Sequence, residues 1–317
     1  MPWRARIQLL GARFEFESNS RGLLRLVEAA FADLPRARPA PEAPHFRIRL
    51  RLDGKAATRT RKPPPLRALA GPGALICGIM DAENFAIVSP GERTGLIVVS
   101  PDMLRNAYHV RYELIEFAVF VLASRGQGLV PLHGACVGRS GRGLLLMGSS
   151  GAGKSTLALH CLMLGMDFLA EDAVFVRPER LTAMGIPNFV HVRPDSLHYI
   201  DDLTVAARVG QSPLIRRRSG AEKYEVDVRQ LAPRRAVCAL KIEGVVFLSA
   251  RRSARGATLR SLAQREFTAA LSAAQPYPAR LPVWRSFRHH LSAARGFELC
   301  RGQHPAEAAV ALRLLLD

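Results

Sequence analysis

The segment at residues 148–155, GSSGAGKS, constrains the fold of this chain more than any other stretch. It matches the phosphate-loop pattern G-x-x-x-x-G-K-[ST] at every fixed position. The apolar residues 144–147 before it are predicted to form a buried strand, and a helix is predicted from Ser155 to about Leu164. A strand, a glycine-rich turn and a helix in this order are typical of an α/β fold in which the helix N-terminus faces a bound phosphate.

The residue types in this phosphate loop have physical reasons. Gly148, Gly151 and Gly153 allow the backbone to turn its N–H groups inward around phosphate oxygens. Lys154 supplies a positive charge for β- and γ-phosphates, and the hydroxyl of Ser155 can ligate Mg²⁺. The sequence therefore predicts a site for a nucleotide with its magnesium ion.

Two acidic residues, Glu171 and Asp172, follow the next predicted strand at 166–170. Asp172 lies 172 − 155 = 17 residues after Ser155, which leaves room for one helix and one strand, so we expect the two strands to be sheet neighbours. Acids at the carboxyl end of a strand face the crevice where α/β sheets bind ligands. Asp172 is a candidate Mg²⁺ ligand, directly or through water, and Glu171 a candidate proton acceptor. The alternative is that one or both are surface turn residues.

The order of motifs resembles a known family. The pair His133-Gly134, the phosphate loop, a short helix, Gly165 and then the acid pair resemble the catalytic domain of HPr kinase/phosphorylase, and more closely the HPr kinase-related proteins of bacteria. That family shares its core with phosphoenolpyruvate carboxykinases. The resemblance extends from about residue 129 to the C-terminus, with strong motifs between 133 and 176. It implies ATP- and Mg²⁺-dependent phosphorylation of a serine hydroxyl.

The resemblance also implies roles for individual residues. Glu171 stands where the family has its catalytic aspartate, Asp172 and Ser155 serve Mg²⁺, and Lys154 stabilises the transferring phosphoryl group. His133 matches the histidine before the loop and would orient Glu171 or contact phosphate, although a lone strand histidine is more often a core residue. Glutamate in place of aspartate keeps a carboxylate base and leaves phosphorylase activity open. The residues that would bind nucleotide phosphates are Gly148, Ser149, Ser150, Gly151, Ala152, Gly153, Lys154, Ser155 and Thr156.

The chain is predicted to have two domains, an N-terminal α+β accessory domain at 1–105 and an α/β phosphate-loop kinase domain at 106–317. Residues 7–16 are predicted to form a strand or a hairpin, residues 23–31 a helical stripe after a cap at 18–20, and residues 46–52 a strand that alternates apolar residues with arginine. A Pro/Ala linker at 36–44 and a basic, Pro-rich loop at 55–65 are predicted. The first domain shows no group of residues typical of a catalytic site. Its expected roles are to hold a protein substrate, to position the kinase core, to mediate assembly, or to serve a purely structural purpose.

Three polar groups in the second half have open interpretations. Arg216, Arg217 and Arg218 form a basic loop that binds a γ-phosphate or an acidic substrate, or is a solvated surface loop, and Lys223 follows it at a position that resembles a basic family position. The pair at 201–202 is interpreted as a turn cap rather than a metal site. The histidine pair at 289–290 is interpreted as a helix-surface pair.

The charge balance limits the partners. The chain has 45 Lys and Arg against 27 Asp and Glu, a formal charge of +18, which favours anionic partners such as nucleotides, acidic peptides, nucleic acid or a membrane surface. The basic residues are scattered and aromatic residues make up only 7%, so nucleic acid is not the favoured partner. The five cysteines form no C-x-x-C pair. The start lacks an apolar signal region and the longest apolar run, 114–123, is too short to span a bilayer, so a cytoplasmic protein is expected.

The sequence thus predicts an ATP- and Mg²⁺-dependent kinase of the HPr kinase-like class that acts on a serine or other hydroxyl of a protein or peptide. Residues 181–187 depart from the signature of the true HPr kinases, so HPr is not the expected acceptor; the resemblance also suggests a homo-oligomer. The rival hypothesis is a nucleotide-dependent binding or assembly protein, which would keep Lys154 and Asp172 but not need Glu171. A transporter ATPase is disfavoured because no LSGGQ-like segment follows, and a GTPase because no N-K-x-D segment is present.

Overall fold

The computed structural model describes residues 2–35, 42–54 and 63–317. The predicted linker at 36–44 and basic loop at 55–65 therefore lie largely outside the described residues. The described chain divides into two compact units, Met1–Leu129 and Val130–Asp317, and each mixes helices with a sheet. We predicted a boundary after residue 105. The observed division comes later because the helices that follow residue 100 pack on strands of the first sheet.

In the described part of the first unit, the sheet has the order β1-β2-β3-β7-β6-β5-β4. β2, β3 and β7 are mutually parallel, and the other neighbours pair antiparallel. The strands are β1 (Trp3–Leu9), β2 (Ala12–Ser18), β3 (His45–Leu52), β4 (Arg67–Ala70), β5 (Ile76–Ile79), β6 (Phe85–Ser89) and β7 (Thr94–Val99).

Helices cover the apolar face of this sheet. The predicted helical stripe forms the first of them, whose N-cap Ser20 accepts a hydrogen bond from the N–H of Leu23. On β3 the alternation is as predicted, with Phe46, Ile48 and Leu50 fully buried and the intervening arginines exposed. The helices are α1 (Arg21–Phe31), α2 (Pro101–Leu104), α3 (Ala107–His109) and α4 (Glu116–Gln127), with a π-helical segment (Val110–Ile115) and a 3₁₀ turn (Pro72–Ala74).

The second unit contains a large mixed sheet and a small antiparallel one. Its strands are β8 (Val130–His133), β9 (Ala135–Arg139), β10 (Arg142–Met147), β11 (Asp167–Ala170), β12 (Ala173–Arg177), β13 (Thr182–Met184), β14 (Phe189–Val192), β15 (Leu214–Arg216), β16 (Glu222–Asp227), β17 (Ala239–Arg252), β18 (Thr258–Ser261) and β19 (Arg295–Arg301). Its helices are α5 (Lys154–Met163), α6 (Leu203–Gly210), α7 (Val228–Leu231), α8 (Gln264–Ala274), α9 (Trp284–Leu291) and α10 (Pro305–Leu314), with 3₁₀ turns at Pro178–Arg180, Pro194–Tyr199 and Pro278–Arg280.

The large sheet runs β11-β9-β10-β17-β13-β12-β8, and β19 joins the C-terminal half of β17 with β18 beside it. β10, β17 and β19 are parallel, so their carboxyl ends meet at one edge. α5 packs on β9 and β11 and against α10, and these elements bury an apolar core around Leu159 and Phe168. The small sheet has the order β14-β16-β15.

The order of this sheet corrects two predictions. β10 and β11 are not neighbours, because β9 lies between them and pairs antiparallel with both. A tight turn with left-handed Ser140 and Gly141 folds β9 back onto β10, and β17 takes the other side. The sequence also predicts one strand over residues 133–137, but the chain breaks at Gly134 and β8 pairs with β12 instead. A Cβ at Gly134 would lie 2.7 Å from the carbonyl oxygen of Leu146, so this crossing requires glycine.

Across the described residues, no helix combines the length and apolar character needed to cross a membrane.

Candidate functional site

The phosphate loop leaves the carboxyl end of β10 and leads directly into α5, one residue earlier than predicted. Gly151 and Gly153 adopt left-handed φ angles of +81° and +90°, which residues with a Cβ rarely adopt. Gly165 ends the helix with a φ of +77°, as the sequence indicates. The loop therefore has the strand–turn–helix setting in which backbone N–H groups can surround an anion.

Lys154 lies inside this loop and is only 8% exposed. Its Nζ donates to the carbonyl oxygens of Gly148, at 2.8 Å, and Ser149, at 3.2 Å. Burial lowers its pKa, the charges of Asp172 and Glu171 oppose this, and Lys223 adds to the lowering. The ammonium group is thus fixed by the loop itself and lies within electrostatic reach of the acid pair.

Glu171 is buried beside the loop, with 5% of its side chain exposed, and Nδ1 of His191 hydrogen-bonds its Oε1. Burial and the nearby charge of Asp172 raise the pKa of Glu171. The charge and hydrogen bond of His191, together with the Ser155 hydroxyl, lower it by more, so the pKa lies below its ordinary value. Among the described residues, its second oxygen, Oε2, has no hydrogen bond of standard geometry. The carboxylate is therefore ionised and held in place by His191 and by the Ser155 hydroxyl.

His191 bridges two strands of the small sheet. It stands opposite Glu225 in the β14–β16 register, and its Nε2 lies 3.4 Å from Oε1 of Glu225. Burial lowers the pKa of His191, but the carboxylates of Glu171 and Glu225 outweigh it and raise the pKa. The sequence analysis did not single out either residue. In the sequence, each of them is a polar residue inside a short apolar run, at 190–192 and at 224–226. This pattern indicates a buried polar group that has a hydrogen-bond partner.

Asp172 faces solvent more than Glu171, with 49% of its side chain exposed. Its Oδ1 lies 3.1 Å from Nδ1 of His133, and its Oδ2 lies 3.6 Å from Nη1 of Arg217. Partial burial raises the pKa of Asp172, but His133 and Arg217 together hold it well below its usual range. The acid pair therefore consists of one buried and one exposed carboxylate, and both residues lie in the bend between β11 and β12.

His133 contacts Asp172 rather than Glu171, so it does not orient Glu171 directly, and its expected contact with phosphate stays a prediction. It is not a core residue either, because 57% of its side chain is exposed. Gln275, which follows α8, fixes its backbone: the Gln275 side chain accepts from the N–H of His133 at 2.9 Å and donates to its carbonyl at 2.8 Å. The N–H of Gly134 donates to the carbonyl of Asp172 at 3.1 Å. These contacts hold the histidine against the acid pair.

The basic loop at 216–218 reaches the acid pair through Arg217. Its Nη2 lies 3.8 Å from Oε1 of Glu171, so the guanidinium bridges both carboxylates. The interpretation of this loop as merely solvated therefore does not apply to Arg217, whose side chain is 24% exposed.

Of these side chains, those of His133, Lys154, Glu171, Asp172 and His191 line one cleft of about 320 Å³. One group of lining residues lies within electrostatic reach of Lys154 or contacts Asp172, and comprises His133, Glu171, Asp172 and Lys223, which we call the acid end. A second group is centred on Arg301 and comprises Tyr199, Arg252, Arg301 and Gln303, which we call the arginine end. The phosphate loop lines the same cleft with Ser150, Gly151, Gly153, Lys154, Ser155 and Thr156. Gly148, Ser149 and Ala152 belong to the loop but do not line the cleft.

Oxygen donors at the acid end fit Mg²⁺ better than a transition metal. Ser155 and Asp172 both line the cleft. Within residues 2–35, 42–54 and 63–317, no cluster of three or more His, Cys, Asp or Glu side chains could hold a metal ion. Mg²⁺ commonly uses one or two protein oxygens and completes its shell with water and phosphate, so the hydroxyl of Ser155 and the carboxylate of Asp172 suffice as protein ligands.

Comparisons with known proteins give little further information. No protein-family model and no curated protein sequence matches the chain. Among solved structures, the Hpr(Ser) kinase/phosphatase from Coxiella burnetii is similar to 58% of this chain and 95% of its own, with 11% identity and a TM-score of 0.32. A likeness at this level does not establish a shared family or activity.

Proposed function

We propose that this protein is an ATP- and Mg²⁺-dependent kinase of the HPr kinase-like class, which transfers a phosphoryl group to a serine or other hydroxyl of a protein or peptide. The observation that carries this proposal is the meeting of the phosphate-loop lysine and both carboxylates in one cleft. Phosphoryl transfer needs a phosphate cradle, cationic charge and a group that orients the attacking hydroxyl, and the three occur together here.

Glu171 is the residue that would receive the acceptor hydroxyl. Its Oε1 is held by His191, whereas Oε2 has no hydrogen bond of standard geometry among the described residues. A hydroxyl that donates to Oε2 would lie in the same cleft as Lys154. A carboxylate with a lowered pKa is a weak base, but a loose transition state needs orientation more than strong proton abstraction.

Cationic side chains would stabilise the transferred group. The loop carbonyl groups hold Lys154, which lies within electrostatic reach of the acid pair, and Arg217 contacts both carboxylates. When Mg²⁺ is bound by Ser155 and Asp172, it supplies charge that neutralises phosphate oxygens. His133 keeps Asp172 ionised and limits its rotation by the 3.1 Å contact.

The rival function is a nucleotide-dependent binding or assembly protein without transfer activity. One observation favours it: Glu171 is tied to His191 and approached by Arg217, and its pKa is lowered, all of which weaken it as a base. Such a protein would need the loop and Asp172, and Glu171 would only hold Arg217 in place.

Labelled transfer separates the two functions. The full chain is incubated with Mg²⁺ and ATP labelled in the γ-phosphate, together with peptide pools that carry a central Ser, Thr or Tyr and matched pools with Ala instead. We include HPr as an acceptor and expect no transfer to it. Label on a hydroxyl pool that Glu171→Gln strongly reduces supports the kinase. Tight binding of Mg·ATP with no transfer to any pool supports the rival function.

A further inference from the structure

The arginine end of the cleft has a charge arrangement that the proposed function does not use. Arg252 ends β17 and Arg301 ends β19, and the two residues are direct partners in the parallel register. Because β10 is parallel to both strands, the phosphate loop and the two arginines leave the same edge of the sheet. This is the edge at which α/β sheets bind ligands.

Arg301 lies directly against the phosphate loop. A Cβ built on Gly153 would come 2.6 Å from its Nη1, so the guanidinium fills the space that glycine leaves open. The loop residues Gly153 and Thr156 line the cleft beside both arginines. A ligand held by the N–H groups of this part of the loop would therefore lie next to Arg301.

The two guanidinium groups lack a counter-charge from the protein. In the part of the chain that the structure describes, neither arginine has a carboxylate within 4.0 Å, and Nε of Arg301 is buried without a hydrogen-bond partner. Burial, followed by the charge of Arg252, lowers the pKa of Arg301. Two adjacent cations without an acid repel each other, and a bound anion would relieve that repulsion.

The distribution of acidic and basic residues in the cleft indicates which phosphate group the two arginines would bind. Lys154 is the residue that binds the β- and γ-phosphates in a phosphate loop. It interacts electrostatically with Asp172, Lys223 and Glu171, so the γ-phosphate and the acceptor belong to the acid end. The α-phosphate and the nucleoside must then extend to the other end, where Tyr199 and Gln303 accompany the arginines. The geometry points to Arg252 and Arg301 as the subsite for the α-phosphate of a nucleoside triphosphate. This inference rests on the proposed function, because it assumes that the loop binds a nucleotide.

Calorimetry with two ligands tests this subsite. We measure the binding of Mg·ATP and of Mg·pyrophosphate, which fills only two phosphate positions, to the wild type, Arg252→Met and Arg301→Met. The matched control is Arg251→Met, which removes the same charge from the adjacent position on β17. Arg251 acts on Glu298, on the other face of the strand. Thermal melting of each variant checks that the fold is kept.

Loss of a charge-assisted contact to phosphate should weaken Mg·ATP binding about tenfold to a hundredfold in Arg252→Met and in Arg301→Met. Pyrophosphate binding should change by less than about threefold, and Arg251→Met should bind both ligands as the wild type does. Equal loss of ATP and pyrophosphate would overturn the assignment to the α-phosphate. Mg·ATP affinities equal to that of Arg251→Met would overturn the subsite alone, whereas a wild type that binds no Mg·ATP would overturn the proposed function with it.

Discussion

His191 and Glu171 form an ion pair that is buried from solvent, with 3% and 5% of their side chains exposed. The pair joins β14 of the small sheet to the residue that follows β11 of the large sheet. Because His191 also approaches Glu225, its ring has a partner on each nitrogen. The contact fixes the rotamer of Glu171, so we treat His191 as a positioning residue for the carboxylate.

Two substitutions of His191 separate its two contacts. The amide of asparagine lies close to the position of Nδ1 and can still donate to Glu171, whereas the amide of glutamine reaches the position of Nε2, near Glu225. We expect His191→Asn to retain most phosphoryl transfer and His191→Gln to lower kcat about tenfold to a hundredfold, because a displaced carboxylate loses much of its general-base contribution. Steady-state kinetics should show little change in the KM for ATP.

Glu225→Gln is the control for the second contact. It weakens the interaction with Nε2 but leaves the Glu171 contact, so its kcat should stay near that of His191→Asn. Equal kcat values for His191→Asn and His191→Gln, with both proteins folded by thermal melting, would show that the contact to Glu171 does not position the base.

The two carboxylates of the acid pair should have different roles, because Glu171 is buried and Asp172 is exposed. Glu171→Gln keeps size and hydrogen bonding but cannot accept a proton, so it should leave Mg·ATP binding nearly intact and lower transfer about 10²- to 10⁴-fold. Asp172→Asn should instead raise the Mg²⁺ concentration that gives half-maximal rate. Full transfer by Glu171→Gln together with loss of transfer by Asp172→Asn would mean that we have assigned the two roles in reverse.

Lys154 should be essential for binding as well as for transfer. Lys154→Ala removes a cation that both approaches phosphate and holds the carbonyl groups of Gly148 and Ser149. We expect a loss of Mg·ATP affinity of at least tenfold by calorimetry, since hydrogen bonds to charged groups contribute about 1.5–3 kcal/mol. Lys241→Ala, an exposed lysine on β17, is the matched control and should bind normally. Unchanged affinity in Lys154→Ala would count decisively against a phosphate site in this loop.

Local motifs made part of this site predictable. The strand, turn and helix around the phosphate loop are contiguous, so their order follows from glycine spacing and from the apolar run before Gly148. The acid pair is adjacent to His133 in space because β8 and β12 are neighbours, a pairing that no local pattern encodes. The prediction that the acid pair lies beside the loop came from an expected pairing of β10 with β11, whereas the role of His133 came from the family resemblance.

Nonlocal pairings explain what was missed. The β9–β10 hairpin inserts a strand between β10 and β11, so chain distance alone gave the wrong neighbours. Arg252 and Arg301 are 301 − 252 = 49 residues apart and become partners only because β19 adds to β17 in parallel. Their sequence contexts are ordinary basic strand ends in an arginine-rich chain, and only tertiary structure shows that they converge.

Acid should destabilise the second unit through His160 on α5. This residue is 3% exposed, its ring lies 5.4 Å from that of His304, and burial, with the charge of His304, lowers its pKa to about 4. An unfolded histidine titrates near about 6.5, so between these values the unfolded chain binds the proton and the folded chain does not. The free energy of unfolding should therefore fall as the pH drops from 7.5 to 4.5, by about 2 kcal/mol more in the wild type than in His160→Gln.

Guanidinium unfolding at both pH values measures this difference. The matched control is His289→Gln, which replaces an exposed histidine on α9 and should follow the wild type. The same pH-dependent loss in His160→Gln as in the wild type would show that other groups cause the acid sensitivity.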